Sequence, residues 1–280
     1  MRDLSCASIT ALVRDLCIEA NCNLPDDVRC AICAARKQEQ SPVGRSILGD
    51  LVENYTFAGE KQLPICQDTG MAVVFADLGQ ECHIVGGTLE DAVNAGVAAG
   101  YTDGFLRKSL VSDPLRRVNT DNNTPAVLHL RLVPGDQLDL TIAPKGAGSE
   151  NMTVLRMLKP SASLKAVEDV IVQAVSDAGS NPCPPVVVGV GLGGNAELCA
   201  LLAKRALLRP LDQHSPDPFY AEMEERLLER INRLGIGPQG LGGTVTALAV
   251  SILPYGTHIA QLPVCVNLCC HVCRHAHGVL

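Results

Sequence analysis

The sequence predicts a mixed α/β fold, α+β in its ordering, in a single domain spanning residues 1–280, and three observations carry that expectation. Helical spacing dominates the first sixty residues. Short apolar runs and period-2 runs then alternate with further helical stripes. No linker-like stretch and no internal repeat interrupts the chain.

The elements follow in order. Leu4, Ile9, Leu12, Val13, Leu16 and Cys17 recur at helical spacing over residues 3–20. Asp26 and Asp27 open a second helix that runs through Ala31 and Ala35. Ser41-Pro42 starts a third, with Ile47, Leu48, Leu51 and Val52 on one face. Met71 to Leu78 reads as an apolar strand, and residues 88–101 as a helix rich in small residues (Ala92, Gly96, Ala99). Leu128, Leu130 and Leu132 alternate with polar residues, as do Leu138, Leu140 and Ile142 after Pro134-Gly135-Asp136. That pattern predicts an antiparallel hairpin. Pro144 to Asn151 reads as a glycine-rich loop.

Val167, Val170, Ile171, Ala174, Val175 and Ala178 form a helical stripe stopped by Gly179. Val186 to Val190 reads as a buried strand, and residues 196–208 as a helix. A charged helix opens at Asp217 or Pro218 and carries Glu222 and Arg226 four apart. Glycine-rich residues 235–244 precede an apolar strand from Thr246 to Leu253.

Composition narrows the function. With 47% hydrophobic and 19% charged residues the chain can bury a sizeable core. A net charge of −7 and 3% aromatics argue against a nucleic-acid binder. No stretch approaches the roughly 20 apolar residues that cross a bilayer. The start of the chain lacks the apolar run of a signal peptide, so a cytoplasmic location with reduced thiols is expected. Thirteen cysteines are then core filler, metal ligands or catalysts. Cys6, Cys17, Cys22, Cys30 and Cys33 read as small apolar residues of the first helices.

One stretch concentrates chemistry. Pro64-Ile65-Cys66-Gln67-Asp68-Thr69-Gly70 sets a thiol, an amide, a carboxylate and a hydroxyl on consecutive residues between a helix and a strand, where functional loops gather. A plain turn with a buried cysteine is the competing reading. Three wider readings also compete. Gly189-x-Gly191-x-x-Gly194 has dinucleotide-loop spacing, but no acidic residue ends a second strand some twenty positions on. Cys270-x-x-Cys273 with His271, His275 and His277 could hold zinc, although the spacing is too crowded for a usual finger. The third is an iron–sulfur site built from the loop cysteines Cys66, Cys183 and Cys270.

The motifs taken together resemble the α subunit of two-subunit class I (iron–sulfur) fumarate hydratases and L-tartrate dehydratases. Those motifs are the Cys66 stretch, Arg107-Lys108-Ser109, Asn119 to Ala126, Pro144 to Met152 and Cys183-Pro184-Pro185. They continue with the glycine run to Gly194, Gly235 to Gly240, Thr257 to Val264 and Cys270 to Ala276. The resemblance covers nearly the whole chain, in order. Ala147, Cys269 and Thr244-Val245-Thr246 depart slightly from the family pattern.

The resemblance implies a [4Fe-4S] cluster on Cys66, Cys183 and Cys270, with one open iron acting as Lewis acid. It implies dicarboxylate binding by Gln67, Asp68, Arg107, Gly146, Gly148, Ser149, Glu150 and Asn151. Asp68 and His258 are the implied catalytic groups. It also implies a separate β subunit that completes the site, in a heterotetramer or larger assembly. The reaction implied is reversible hydration of fumarate to (S)-malate. Dehydration of L(+)-tartrate to oxaloacetate is the alternative, and a zinc- or iron-binding assembly protein is the non-enzymatic one.

Overall fold

The computed structural model describes residues 2–280. In chain order the elements are β1 (Arg2–Ser5), α1 (Cys6–Cys22), α2 (Asp26–Gln38), α3 (Pro42–Lys61), β2 (Met71–Gly79), β3 (Cys82–Val85) and α4 (Leu89–Asp103). Then come β4 (Val127–Val133), β5 (Leu138–Lys145), α5 (Ala147–Glu150), β6 (Val154–Leu158), α6 (Leu164–Ala178) and β7 (Val186–Gly194). The last are α7 (Ala196–Ala206), α8 (Pro218–Asn232), β8 (Ala247–Thr257), β9 (Leu262–Cys269) and β10 (Ala276–Val279). The mixed α/β class expected from the sequence is what is observed. The N-terminal helices, α4, α6 and α8 stand close to their sequence-based bounds because each has a legible start. The side chains of Ser5, Thr88, Ser163, Asn195 and Asp217 all cap helix N-termini.

The chain folds into two compact units. One holds residues 2–25, Tyr55–Ala147 and Arg274–Leu280; the other holds Asp26–Asn54 and Gly148–Cys273. The chain changes units after Pro25, inside α3, after Ala147 and after Cys273, so no linker composition marks the division.

In the first unit the four-stranded sheet runs β10-β5-β2-β4. Here the expected hairpin needs correction. β4 and β5 both exist and are joined by the Pro134-Gly135-Asp136 turn, but they do not pair with each other. β2 lies between them, parallel to β4 and antiparallel to β5. Residues 72–76 of β2 are buried on both faces, which an edge position would not allow. The turn instead folds over the end of β2. Gly79 N donates to Gln137 O at 2.8 Å, and Gln80 N donates to Val133 O at 2.9 Å. The core joins Ile9, Val13 and Leu16 of α1 to Val74, Leu140 and Ile142 of the sheet and to Val97 and Tyr101 of α4. α1 begins at Cys6 and not near residue 3, because Arg2 to Ser5 pair in parallel with β3.

The second unit carries the sheet β6-β9-β7-β8, with β7 parallel to β8 and antiparallel to β9. Ile171 and Val175 of α6, and Leu227 and Ile231 of α8, pack on Val188, Ile252 and Val266 of that sheet. β6 and β9 escaped the sequence reading. β6 is a short, half-exposed strand, and β9 hides in a segment whose polar motifs read as a site. No helix among the described residues is long and apolar enough to cross a membrane.

Candidate functional site

In the first unit the Pro64 to Gly70 stretch is a tightly held turn, with Cys66 half-buried. Asp68 N donates to Cys66 Sγ at 3.4 Å, and the Cys66 thiol faces Gln67 Oε1 at 3.3 Å. The Asp68 carboxylate is held by two backbone N–H groups. Its Oδ1 accepts from Gly70 N at 3.1 Å and its Oδ2 from Ala147 N at 2.8 Å. A Cβ at Gly146 would stand 3.0 Å from Asp68 Oδ2, so the carboxylate lies flat against the end of β5. The buried guanidinium of Arg274 donates to Asp68 O. Charge-assisted donors are the stronger kind.

Below the turn sits a polar core. The Tyr101 hydroxyl is fully buried and lies 2.8 Å from Thr69 O and 3.0 Å from Gly70 O. Burial above all pushes its pKa up. Asn123, also fully buried, donates to Gly70 O at 3.1 Å. Gly70 has φ +75°, and a Cβ there would meet the Lys145 backbone at 2.8 Å. Only glycine fits both the left-handed backbone and that approach.

Arg107 lies exposed on the segment after α4. Thr69 Oγ1 donates to its carbonyl at 2.9 Å. The neighbouring backbone is fastened by two asparagines. Asn123 Oδ1 accepts from Ser109 N and Leu110 N at 2.8 and 3.1 Å, and Asn119 Nδ2 donates to Lys108 O at 2.8 Å. These asparagines stand in a motif that the resemblance picked out without a role; their work is to position the Arg107 segment. Arg274 likewise stood in the last motif with no role assigned. Burial separates Asn123 and Arg274 from surface residues, whereas the exposed Asn119 shows its role only through its contact with Lys108 O, and a single sequence displays neither.

The expected glycine loop is shorter than it reads. Ala147 to Glu150 make one helical turn, with Ser149 buried. The Glu150 carboxylate is engaged by Lys204 Nζ and by Asn267 Nδ2, the latter at 2.9 Å. Gly148, inside this turn, and Asn151, just after it, are exposed. His258 follows β8 and is exposed; its Nδ1 accepts from Ala260 N at 3.1 Å.

Cys183 is exposed at φ +53°, and its N donates to Ser180 O at 3.0 Å. Cys270 is half-buried and is the first residue past β9, whereas Cys269 is buried as the last residue of that strand. The two loops meet. His271 N donates to Cys183 O at 3.4 Å, and His271 Nδ1 lies 3.1 Å from the same oxygen.

The remaining cysteines divide by burial. Cys17, Cys22, Cys199, Cys265 and Cys273 are buried. Burial pushes Cys17 and Cys265 up to about 12 and Cys199 to about 11. Cys6 is half-buried. Cys30 and Cys33 correct the expectation of apolar filler, for both are exposed: they lie off the Val28, Ile32, Ala35 face that α2 buries.

The dinucleotide reading is overturned by packing. Cβ atoms at Gly189 and Gly191 would stand 2.2 Å from Ala203 O and 2.0 Å from Cys199 O. Those glycines let α7 lie directly on β7. The α7 N-terminus is occupied by the Asn195 side chain, which accepts from Leu198 N at 3.0 Å. In the tail, Cys273 is buried with its thiol on Leu207 O at 3.6 Å, and His277 pairs with Asp139 at 2.9 Å. Among the described residues, no three or more His, Cys, Asp or Glu gather as the ligands of one metal ion.

Asp68 is thus a fixed carboxylate, Arg107 stands on a braced segment, and Cys66, Cys183 and Cys270 lie outside the core. Comparison with known proteins supplies the family. The family described as fumarate hydratase (Fumerase) matches residues 10–279. A protein of Methanocaldococcus jannaschii named putative L(+)-tartrate dehydratase subunit alpha is 38% identical over 275 residues, covering 96% of each chain. The L(+)-tartrate dehydratase subunit alpha of Escherichia coli strain K12 is 31% identical over 276 residues, covering 97% of this chain and 90% of that one. The chain belongs to the fumarate hydratase (Fumerase) family, and it is a hydro-lyase chain.

Proposed function

We propose that this chain is the α subunit of a [4Fe-4S]-dependent hydro-lyase that interconverts fumarate and (S)-malate in the cytoplasm, with a β subunit completing the site. The observation that carries the reading is the family match over residues 10–279, on a chain whose candidate ligands all stand outside the core. The donor set fits a cluster. Cys66 and Cys270 are half-buried and Cys183 is exposed, and Cys66 Sγ already accepts a backbone N–H, as a thiolate ligand does. Held by three cysteines, a cluster would supply an open iron as Lewis acid for the substrate hydroxyl.

The chain's own residues do the rest. Arg107 holds a substrate carboxylate through its planar fork. Gln67 and the residues from Gly146 to Asn151 contribute polar contacts. Asp68, oriented by the N–H groups of Gly70 and Ala147, handles a proton beside the substrate, and His258 is the second candidate for that task.

A second reading is dehydration of L(+)-tartrate to oxaloacetate, favoured by the names of the relatives at 38% and 31% identity. The deciding experiment is anaerobic reconstitution with iron and sulfide in the presence of the β subunit, with malate, fumarate and L-tartrate assayed side by side. Turnover of fumarate supports the first reading, and turnover of tartrate alone supports the second. Uptake of iron with no turnover of any of the three would leave a metal-binding assembly protein. Full activity without the β subunit would sink the partner. Arg107→Lys is expected to lower kcat/KM about tenfold or more, the loss of about one charge-assisted hydrogen bond. Cys183→Ser should abolish the cluster's visible absorbance.

A further inference from the structure

Gln239 sits where the backbone is least suited to it. Its φ is +53° and ψ is 17°, in the left-handed region, within the run Gly237-Pro238-Gln239-Gly240. Three residues around it with positive φ, Gly237, Gly240 and Gly242, are glycines. A side chain kept at such a position points to a use for that side chain.

The use is visible in its contacts, all within the second unit. Gln239 N and Gln239 Nε2 both donate to Pro184 O, at 2.8 and 2.9 Å. The same Nε2 lies 3.1 Å from His271 Nδ1. Turning the amide over would set its oxygen against the Pro184 oxygen, so the nitrogen faces this way. Pro184 follows Cys183, and His271 follows Cys270. One amide therefore touches the residue next to each of the two cysteines, and the His271 backbone N–H closes the circuit onto Cys183 O, with Nδ1 accepting from Gln239 Nε2.

The loop that carries Gln239 is braced from behind. Gly240 N donates to Gly237 O at 3.1 Å, and Gly242 N donates to Ile236 O at 2.9 Å. A Cβ at Gly240 would meet Ser180 Cβ at 2.3 Å, so the loop is keyed to the segment leading into Cys183. At its far end the fully buried carboxylate of Glu39 accepts from Thr244 N at 2.9 Å, Val245 N at 2.9 Å and Ser41 N at 2.8 Å.

We propose that Gln239 is a positioning residue that sets the separation and aim of the Cys183 and Cys270 loops before any cluster is present, with Glu39 anchoring the loop that carries it. The proposal rests on the cluster reading above. It goes beyond that reading by assigning a role to an amide that supplies no ligand. A polar partner held against the backbone of ligand residues governs how firmly the ligands hold their metal.

The test uses the α–β complex reconstituted anaerobically with iron and sulfide, as wild type, Gln239→Leu, Gln239→Glu and Cys183→Ser. Loss of visible absorbance on adding excess EDTA gives the rate of cluster release, electron paramagnetic resonance after reduction with dithionite gives the cluster's signature, and calorimetry of the complex before reconstitution gives Tm. Gln239→Leu removes the donors. Gln239→Glu keeps the shape and also removes them. Both are expected to release the cluster at least about tenfold faster than wild type, with an altered resonance signature and a Tm within a few degrees of wild type. Wild-type release rates and signature in both variants would overturn the proposal. Loss in Gln239→Leu that Gln239→Glu restores would also overturn it, since shape alone would then suffice. A wild-type complex that takes up no cluster, like Cys183→Ser, would instead bring down the cluster reading, and this proposal with it.

Discussion

The two cysteine-bearing regions are held in place by different means. The Cys66 turn is pinned from below by buried side chains: Tyr101 and Asn123 on its carbonyls, and Arg274 on Asp68 O. The Cys183 and Cys270 loops are pinned from the side, by one partly buried amide on a braced loop. In the first region a substitution strikes the core of its unit, and stability should record the loss. In the second it strikes a local geometry, and the fold should survive while the site is disturbed.

The largest effect expected is Gly70→Ala. It forces a side chain into the left-handed region and against the Lys145 backbone at 2.8 Å. Left-handed strain of about 1–2 kcal/mol and overpacking of about 1–3 kcal/mol should lower Tm by several degrees or prevent folding. Denaturant unfolding of the chain measures it, and a loss under about 1 kcal/mol would show that the turn is softer than its contacts imply.

Asn123→Leu comes next. It orphans Ser109 N and Leu110 N, and leaves Gly70 O with the Tyr101 hydroxyl alone. At about 1 kcal/mol for each unmet donor, with about 1 kcal/mol more for a leucine at the left-handed φ of +61°, a loss of about 3 kcal/mol is expected, with Arg107 loosened as well. Urea titration gives the first quantity and the KM for substrate the second. An unchanged KM beside a lowered stability would separate the Arg107 segment from its support.

Glu39 probes the other region. Burial alone would raise its pKa, but the N–H groups of Thr244, Ser41 and Val245 and the Thr244 hydroxyl outweigh burial and hold it below the ordinary 4.5. A carboxyl whose folded pKa lies below its unfolded one contributes stability that is present above about pH 4.5. That contribution is lost as pH falls through the folded value. Glu39→Gln should remove this slope and cost about 2 kcal/mol near neutral pH, because the amide nitrogen would face backbone donors. Urea midpoints of wild type and variant, compared from pH 7 to pH 3, check both. Parallel curves would mean that the carboxylate's charge is not what the loop uses.

The smallest effect on stability belongs to Gln239→Leu, expected below about 1 kcal/mol because the left-handed backbone is already held by its own loop. Calorimetry measures it. A loss as large as that of Asn123→Leu would erase the contrast between the two regions.

Much of this molecule was legible in its residues. The longer helices announced themselves because each buries one face, and most open on a residue whose side chain caps them. Cys66, Cys183 and Cys270 stood in loop-like contexts, and all three lie outside the core. The order of the motifs carried the family. The strands β6, β9 and β10 did not stand out, since short strands draw their identity from neighbours far along the chain. The expected hairpin failed for the same reason. Alternation along β4 and β5 is local, but β2 sliding between them depends on which strand best tolerates burial on both faces.

What the sequence determined by itself, then, was the class of elements, most of the caps that start them and the order of motifs that carries the family. All of these follow from side-chain chemistry read a few residues at a time. Only the tertiary structure decided who holds whom. Buried donors find acceptors wherever the fold brings them, and no spacing rule links Arg274 to Asp68 or Gln239 to Pro184. The cost of leaving a buried polar group unpaired makes such partnerships obligatory, and the packing within each unit selects which ones form.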